Sequence, residues 1–141
     1  FAFVENDQYF QWSPDSKWLL FDYAVPGSAV GEVGLVSADG KKIENLTLSG
    51  FNDGNAKWIM GGKGMMWFSN RDGLRAAAMS GGAQTDAYAM FFTQEAFDKF
   101  KLSKEDAALQ KEIEENKAKA DTSKKKTAAK DSVVIDWDGL T

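Results

Sequence analysis

Trp12-Ser13-Pro14-Asp15-Ser16-Lys17-Trp18-Leu19-Leu20-Phe21 occurs in this chain in two related forms. The stretch predicts a short strand, a tight turn and a second apolar strand, because Pro presets φ and Asp bonds the backbone two residues on. The second form is Trp58-Ile59-Met60-Gly61-Gly62-Lys63-Gly64-Met65-Met66-Trp67-Phe68. Trp12 matches Trp58 and Lys17 matches Lys63 at one spacing, 58 − 12 = 63 − 17 = 46. Two landmarks that share one spacing indicate an internal repeat.

The first repeat has the strand pattern of a complete structural unit. Strands are predicted at 9–13, 17–23, 32–37 and 42–47, and Asp39-Gly40 forms the hairpin turn between the last two. Four short antiparallel strands are the content of one β-propeller blade, and blade repeats have periods of about 40–50 residues. We therefore predict a blade over residues 1–49.

The second repeat predicts another blade, over residues 50–92 and 131–141, which a charged insertion at 93–130 interrupts. Strands are expected at 55–58, 64–69 and 86–92, and 132–137 is expected to return as the fourth strand. The insertion predicts a short helix at 93–100 and a second helix that starts at the capping sequence Ser103-Lys104-Glu105-Asp106 and extends to about residue 120. The predicted fold is all-β: a partial β-propeller of two four-stranded antiparallel blades with a helical insertion in the second blade.

Composition excludes several classes of function. The net charge is −4 and no segment is strongly basic, so we expect no nucleic-acid partner. No apolar run reaches the length of a membrane span. The sequence contains no His and no Cys, which excludes a Ser-His-Asp triad, disulfides and thiolate metal sites within it, and no cofactor is expected. Because the first residue is Phe1 and the first Met is Met60, we expect an excised or processed piece.

Other motifs favour structural roles over functional ones. Gly61-Gly62-Lys63-Gly64 lacks the flanking Gly and the Ser or Thr of a phosphate-binding loop. Asn70-Arg71-Asp72-Gly73 lacks the spacing and closing Glu of a calcium loop. Asp136 and Asp138 are expected on a solvated strand end rather than in a carboxylate pair, and Asn45-Leu46-Thr47, a glycosylation sequon, is expected at the end of an outer strand. Each of these motifs is more typical of a turn or a strand end.

With the repeats aligned, the chain resembles a known family. The segments Trp12-Ser13-Pro14-Asp15-Ser16-Lys17, Ser37-Ala38-Asp39-Gly40-Lys41 and Trp67-Phe68-Ser69-Asn70-Arg71-Asp72-Gly73 are similar to TolB-like propeller repeats. Asp86-Ala87-Tyr88-Ala89-Met90-Phe91-Phe92, the charged insertion after it and Ile135-Asp136-Trp137-Asp138-Gly139-Leu140 resemble the propeller of bacterial tricorn-like serine peptidases. The resemblance covers nearly the whole chain.

The resemblance implies a role in proteolysis. In that family, propellers precede catalytic and PDZ-like domains and are thought to gate or guide peptides, so this segment carries no catalytic residue and its partners are the other blades, the catalytic domains and peptide substrates. It also implies a periplasmic or secreted location. A TolB-like binding scaffold without enzymatic activity and the propeller of a prolyl-oligopeptidase-type peptidase stay open as alternatives. Sequence beyond Thr141 would distinguish them, since the last has an α/β-hydrolase domain with a Gly-x-Ser-x-Gly elbow.

Blade topology predicts where peptides make contact. The loops at 24–31 and 71–85 should share one face, and the insertion should lie on the opposite face over the turns at 14–17 and 61–63. The candidate peptide-contact residues are Arg71, Asp72, Leu74 and Arg75. Two blades also leave open sheet edges, which predicts self-association or packing against further blades.

Overall fold

The computed structural model describes residues 9–28, 30–74, 84–120 and 132–140. Most of these residues belong to seven strands and two α-helices, followed by a 3₁₀ turn at Asp138–Leu140. The strands are β1 (Phe10–Trp12), β2 (Trp18–Ala24), β3 (Gly31–Ser37), β4 (Ile43–Asn45), β5 (Asp53–Ile59), β6 (Gly64–Ser69) and β7 (Asp86–Phe91); the helices are α1 (Gln94–Lys101) and α2 (Lys104–Ala120).

The first sheet confirms the predicted four-stranded antiparallel unit. Its strand order is β1-β2-β3-β4, and Leu20 lies opposite Leu35 in the register of the two central strands. Its turn after β1 is held by the Ser13 hydroxyl, which donates to the Asp15 carboxylate at 2.6 Å and accepts from the backbone N–H of Trp18 at 2.9 Å. These local hydrogen bonds fix the turn that the sequence predicts.

The second sheet has three strands, β5-β6-β7, instead of the predicted four. The predicted fourth strand at 132–137 is wrong: in this segment the Asp136 N–H donates to the Phe92 carbonyl at 2.8 Å, but no ladder with β7 forms. The segment is held by the first sheet instead. The Val133 N–H donates to the Asp15 carboxylate at 2.7 Å, and Trp137 packs on Trp18 with ring centroids 5.6 Å apart.

The two sheets pack face to face through an apolar core and a set of polar contacts. The Trp58 indole N–H donates to the Gln11 carbonyl at 3.0 Å, and the Trp58 backbone N–H donates to the Gln11 side-chain amide oxygen at 2.9 Å. Packing of the two sheets removes apolar surface of both from water, and this burial is the main stabilising contribution. The buried core residues are Leu20, Val33, Leu35, Ala56, Met65, Trp67 and Phe92.

Both predicted helices of the insertion are confirmed. The Thr93 hydroxyl caps α1 by accepting from the Ala96 N–H at 3.2 Å, and the ring of Phe91 packs on Phe97 and Phe100 at centroid distances of 5.6 and 4.8 Å. The Ser103 hydroxyl caps α2 by accepting from the Asp106 N–H at 3.1 Å. Residues 104–117 of α2 are exposed. Neither helix is long and apolar enough, within the described residues, to cross a membrane.

Asp22 makes the interface between the sheets sensitive to pH. Its carboxylate accepts from the Asn55 N–H at 2.6 Å, while its second oxygen is buried and has no hydrogen-bond partner among the described residues. Burial raises the pKa of Asp22 above its ordinary value of 3.8, although hydrogen bonds from the Asn55 and Ala56 backbone oppose the shift. The folded chain therefore binds this proton at pH values where the unfolded chain has lost it.

Asp22→Asn should remove part of the pH dependence of stability. Because the folded-state pKa is raised, the free energy of unfolding falls as pH rises from 3.8 through the folded pKa, and the neutral amide lacks this penalty. We expect Asp22→Asn to gain stability relative to the native chain across this window, in urea unfolding series from about pH 4 to about pH 8. If the free energies of unfolding of the two chains differed by the same amount at every pH, the raised pKa of Asp22 would be contradicted.

Candidate peptide-contact site

The predicted peptide-contact loops leave the same end of the two sheets. Asn52 joins them: its side-chain oxygen accepts from the Gly31 N–H at 2.9 Å, and its backbone N–H donates to the Asn70 side-chain oxygen at 3.0 Å. The start of the insertion lies at the opposite end, where Thr93 and Ala96 line a cavity with the turn at 61–63. The predicted opposition between these loops and the insertion is confirmed for the described residues.

Arg71 follows β6, and its side chain reaches back to the first residue of β5. Its guanidinium lies 3.3 Å from the carboxylate of Asp53, whose side chain is fully buried, and its Nε donates to the buried Ser69 hydroxyl at 3.1 Å. The guanidinium carbon also lies 4.7 Å from the ring centre of Tyr88 and 5.5 Å from that of Trp67. The ion pair and the two aromatic contacts fix Arg71 as the anchor of the loop.

Asp72 holds the same loop to the edge of the second sheet. Its carboxylate accepts a hydrogen bond from the Tyr88 hydroxyl. This hydrogen bond raises the pKa of Tyr88 to about 12, with smaller contributions from burial and from the negative charges of Asp72 and Asp86. The hydroxyl therefore keeps its proton at neutral pH and remains a donor, so the link between the loop and β7 does not change in the physiological range.

Leu74 is the exposed apolar side chain at the base of the loop. It is 73% exposed, while its backbone carbonyl accepts from the Gln84 N–H at 3.1 Å. These two residues bring the ends of the loop together, and the fourth predicted contact residue, Arg75, lies outside the described residues. Of the predicted residues described, Arg71 and Asp72 position the loop, and Leu74 presents an apolar contact to solvent.

Two buried carboxylates support this face, and sequence analysis did not single them out. Glu32 is almost fully buried and accepts from the Thr47 hydroxyl and from the backbone N–H groups of Ser49 and Gly50, the latter at 2.9 Å. The Ser49 hydroxyl donates to the second carboxylate, that of Asp53. Glu32 belongs to β3 and Asp53 to β5, so their hydrogen bonds hold the segment that connects the two sheets to both sheets. The position of Glu32, an acidic residue within the largely apolar strand β3, could have indicated a buried carboxylate.

The buried polar groups of this face make structural hydrogen bonds. Its buried carboxylates accept hydrogen bonds from hydroxyl and backbone donors, and in the described part of the chain no cluster of three or more acidic side chains is arranged to hold a metal ion. No protein-family model, curated protein or solved structure matches this chain. The function is therefore inferred from the geometry of the molecule and from its sequence motifs.

Proposed function

We propose that this chain is part of the β-propeller of a tricorn-like serine peptidase, where it guides peptide substrates to a catalytic domain outside these residues. The proposal combines the sequence motifs with one structural observation, the way in which the second sheet packs on the first. The family motifs also lead us to propose a periplasmic or secreted location.

The two repeat tryptophans lie in different environments, and this difference is the structural observation that supports the proposal. Trp58 packs on the first sheet and donates its indole N–H to Gln11, whereas its counterpart Trp12 is 50% exposed. Trp12 pairs with Leu19, and Gln11 pairs with Leu20, so Trp12 lies on the face of the first sheet that points away from the second. A preceding sheet would give Trp12 the contact that Trp58 has, and such head-to-tail repetition is the packing rule of a propeller.

The exposed apolar residues on the first sheet support the same proposal. Phe10 is 61% exposed and Ile43 is 44% exposed, and both lie on the face that carries Trp12. A row of large apolar side chains on one face is typical of a surface that another element covers. Packing of a further blade would bury this row, while the loops around Leu74 would remain at one end of the propeller, open to a passing peptide.

Leu74→Glu should weaken the binding of unfolded peptides. The substitution replaces an exposed apolar contact with a charge and leaves the Arg71–Asp53 anchor intact, so the fold should be unaffected. We expect at least a fivefold rise in Kd, roughly the loss of one apolar contact, by fluorescence anisotropy with labelled disordered peptides. Leu109→Glu is the matched control, because Leu109 is also exposed, at 57%, and belongs to helix α2 rather than to the loop.

The outcome separates peptide guidance from a general apolar effect. Equal losses in both variants would mean that exposed leucines bind peptides without regard to position. Unchanged binding in Leu74→Glu would remove the loop from the proposed path, and no measurable binding by the native chain would remove the guiding role itself.

A further inference from the structure

Strand β7 lies at the edge of the second sheet, and no other strand among the described residues pairs with its outer side. The Phe92 N–H donates to the Lys63 carbonyl at 2.9 Å, so the alternating backbone groups of Tyr88 and Met90 face β6 as well. The N–H and C=O groups of the intervening residues therefore face outward. These outward-facing residues are Ala87, Ala89 and Phe91.

The first sheet shows what occupies the corresponding edge. There the outward-facing residues of β3 bond to the chain that contains β4: the Leu46 N–H donates to the Val33 carbonyl, and the Ser37 N–H donates to the Lys42 carbonyl, both at 2.9 Å. In the second sheet the returning chain reaches the Phe92 carbonyl, beyond the end of β7. Along β7 itself, the described residues supply no partner strand.

The sequence of β7 does not protect this edge. It contains neither Pro nor Lys, the residues that commonly prevent an edge strand from pairing. Ala87 and Ala89 are exposed and small, and Phe68, which pairs with Ala87, is 39% exposed on the same face. The edge therefore borders a shallow apolar surface that can accept large side chains from an added strand.

We propose that β7 binds an extended peptide as an added antiparallel strand. Apolar side chains at alternate positions of the peptide contact Phe68, Ala87 and Ala89, and the backbone bonds to the outward-facing groups of β7. The exposed carboxylate of Asp86 favours a basic residue at the peptide's C-terminal end, which antiparallel pairing places beside it. This inference rests on the proposed peptide-guiding function and specifies how a peptide is held.

A peptide fits this edge better than a second copy of the chain does. In an antiparallel pair of β7 strands, α1 of each copy, which packs on its own Phe91, would meet the Asp86 end of the other copy. There the helix would meet the base of the loop, which the Leu74–Gln84 contact closes, whereas a single extended peptide carries no such helix. Two copies would also bring together chains of net charge −4, whereas a basic peptide is attracted.

Ala89→Pro provides the test, because it removes an outward-facing N–H without touching the hydrogen bonds to β6. The probe is the peptide Gly-Val-Thr-Val-Thr-Val-Lys with an amidated C-terminus and a fluorophore without net charge, so that it is basic. Ala89→Val is the matched control that retains the N–H. We expect Ala89→Pro to raise Kd by about tenfold and Ala89→Val by less than about twofold. Circular dichroism and thermal unfolding of both variants check that the sheet is intact.

Two further measurements do not depend on the substitution. Alternate N–H groups of the bound peptide face β7. N-methylation of this set of residues should abolish binding, whereas N-methylation of the intervening residues should leave binding unchanged. Hydrogen exchange should slow on peptide addition at Ala87, Ala89 and Phe91. Slowing that instead follows protein concentration without peptide would identify a second copy as the occupant and overturn the proposal.

The results also separate this proposal from the general guiding role. Peptide binding that is weakened by Leu74→Glu but insensitive to Ala89→Pro and to N-methylation would overturn strand addition and leave guidance at the loop intact. Binding that is weakened by substitution of Ala89 but not of Leu74 would support the β7 edge as the peptide site and contradict a peptide contact at the loop.

Discussion

Arg71→Met should destabilise the chain by about 3 kcal/mol, because it leaves the carboxylate of Asp53 buried without its cation. The Asp53 side chain is fully buried and that of Arg71 is 27% exposed, so solvent screens the pair only in part. The variant also loses the cation–π contact of the guanidinium with Tyr88. Urea unfolding followed by tryptophan fluorescence measures the change, since Trp67 lies beside Arg71.

Two controls test whether burial causes this effect. Lys41→Met breaks the ion pair between Lys41 and Asp39, whose side chains are 84% and 56% exposed, and should cost far less stability than Arg71→Met. The double variant Asp53→Asn with Arg71→Met removes both charges and should recover part of the lost stability. Equal costs for the buried and the exposed pair would contradict the anchoring role of Arg71.

The parts of the fold that depend on local hydrogen bonds could be predicted from the sequence. The turn after β1 is fixed by Ser13 and Asp15, and the turn after β3 by the equivalent Ser37 and Asp39, all within a few residues of one another. The cap at Ser103 is equally local. Such interactions are visible in a short window of sequence, and the strands and helices that they delimit were predicted within a few residues.

The wrong prediction concerned a segment whose partners are distant in sequence. Residues 132–137 are rich in β-branched and aromatic side chains, as a strand often is, but Ser132 accepts from the Lys17 ammonium at 2.8 Å and Val133 donates to Asp15. These residues are more than a hundred positions apart, and no local pattern reports such a pairing. Tertiary contacts with the first sheet therefore override the strand pattern.

The sequence predicts the loop that carries the candidate residues, but not the partners of its charged side chains. Sequence analysis grouped Arg71 and Asp72 with Leu74 as peptide contacts, because all three fall in one loop. In the fold, the first two bond to Asp53 and Tyr88, which come from β5 and β7. A loop charge cannot be assigned to a partner on another strand until the topology is known. What the sequence did predict was the loop and the face on which it lies.

Trp58→Ala should cost about 3 kcal/mol, whereas Trp12→Ala should cost less than about 1 kcal/mol, although the two residues are repeat counterparts. Trp58 packs against the core and contacts the ring of Phe92, tilted by 57°, at a centroid distance of 5.5 Å, while Trp12 is half exposed. Trp58→Phe isolates the hydrogen bond to Gln11 and should cost about 1 kcal/mol beyond any loss of packing. Urea unfolding of the three variants gives these values directly.

The same pair of residues tests the proposed propeller. If a preceding sheet packs on the first as the first packs on the second, Trp12 becomes the equivalent of Trp58 in a longer form of the chain that includes that sheet. Trp12→Ala should then cost about 3 kcal/mol in the longer form, because the indole is buried there and loses its own carbonyl acceptor. A cost that stays below about 1 kcal/mol in the longer form would mean that the repeat in sequence does not continue as a repeat in packing.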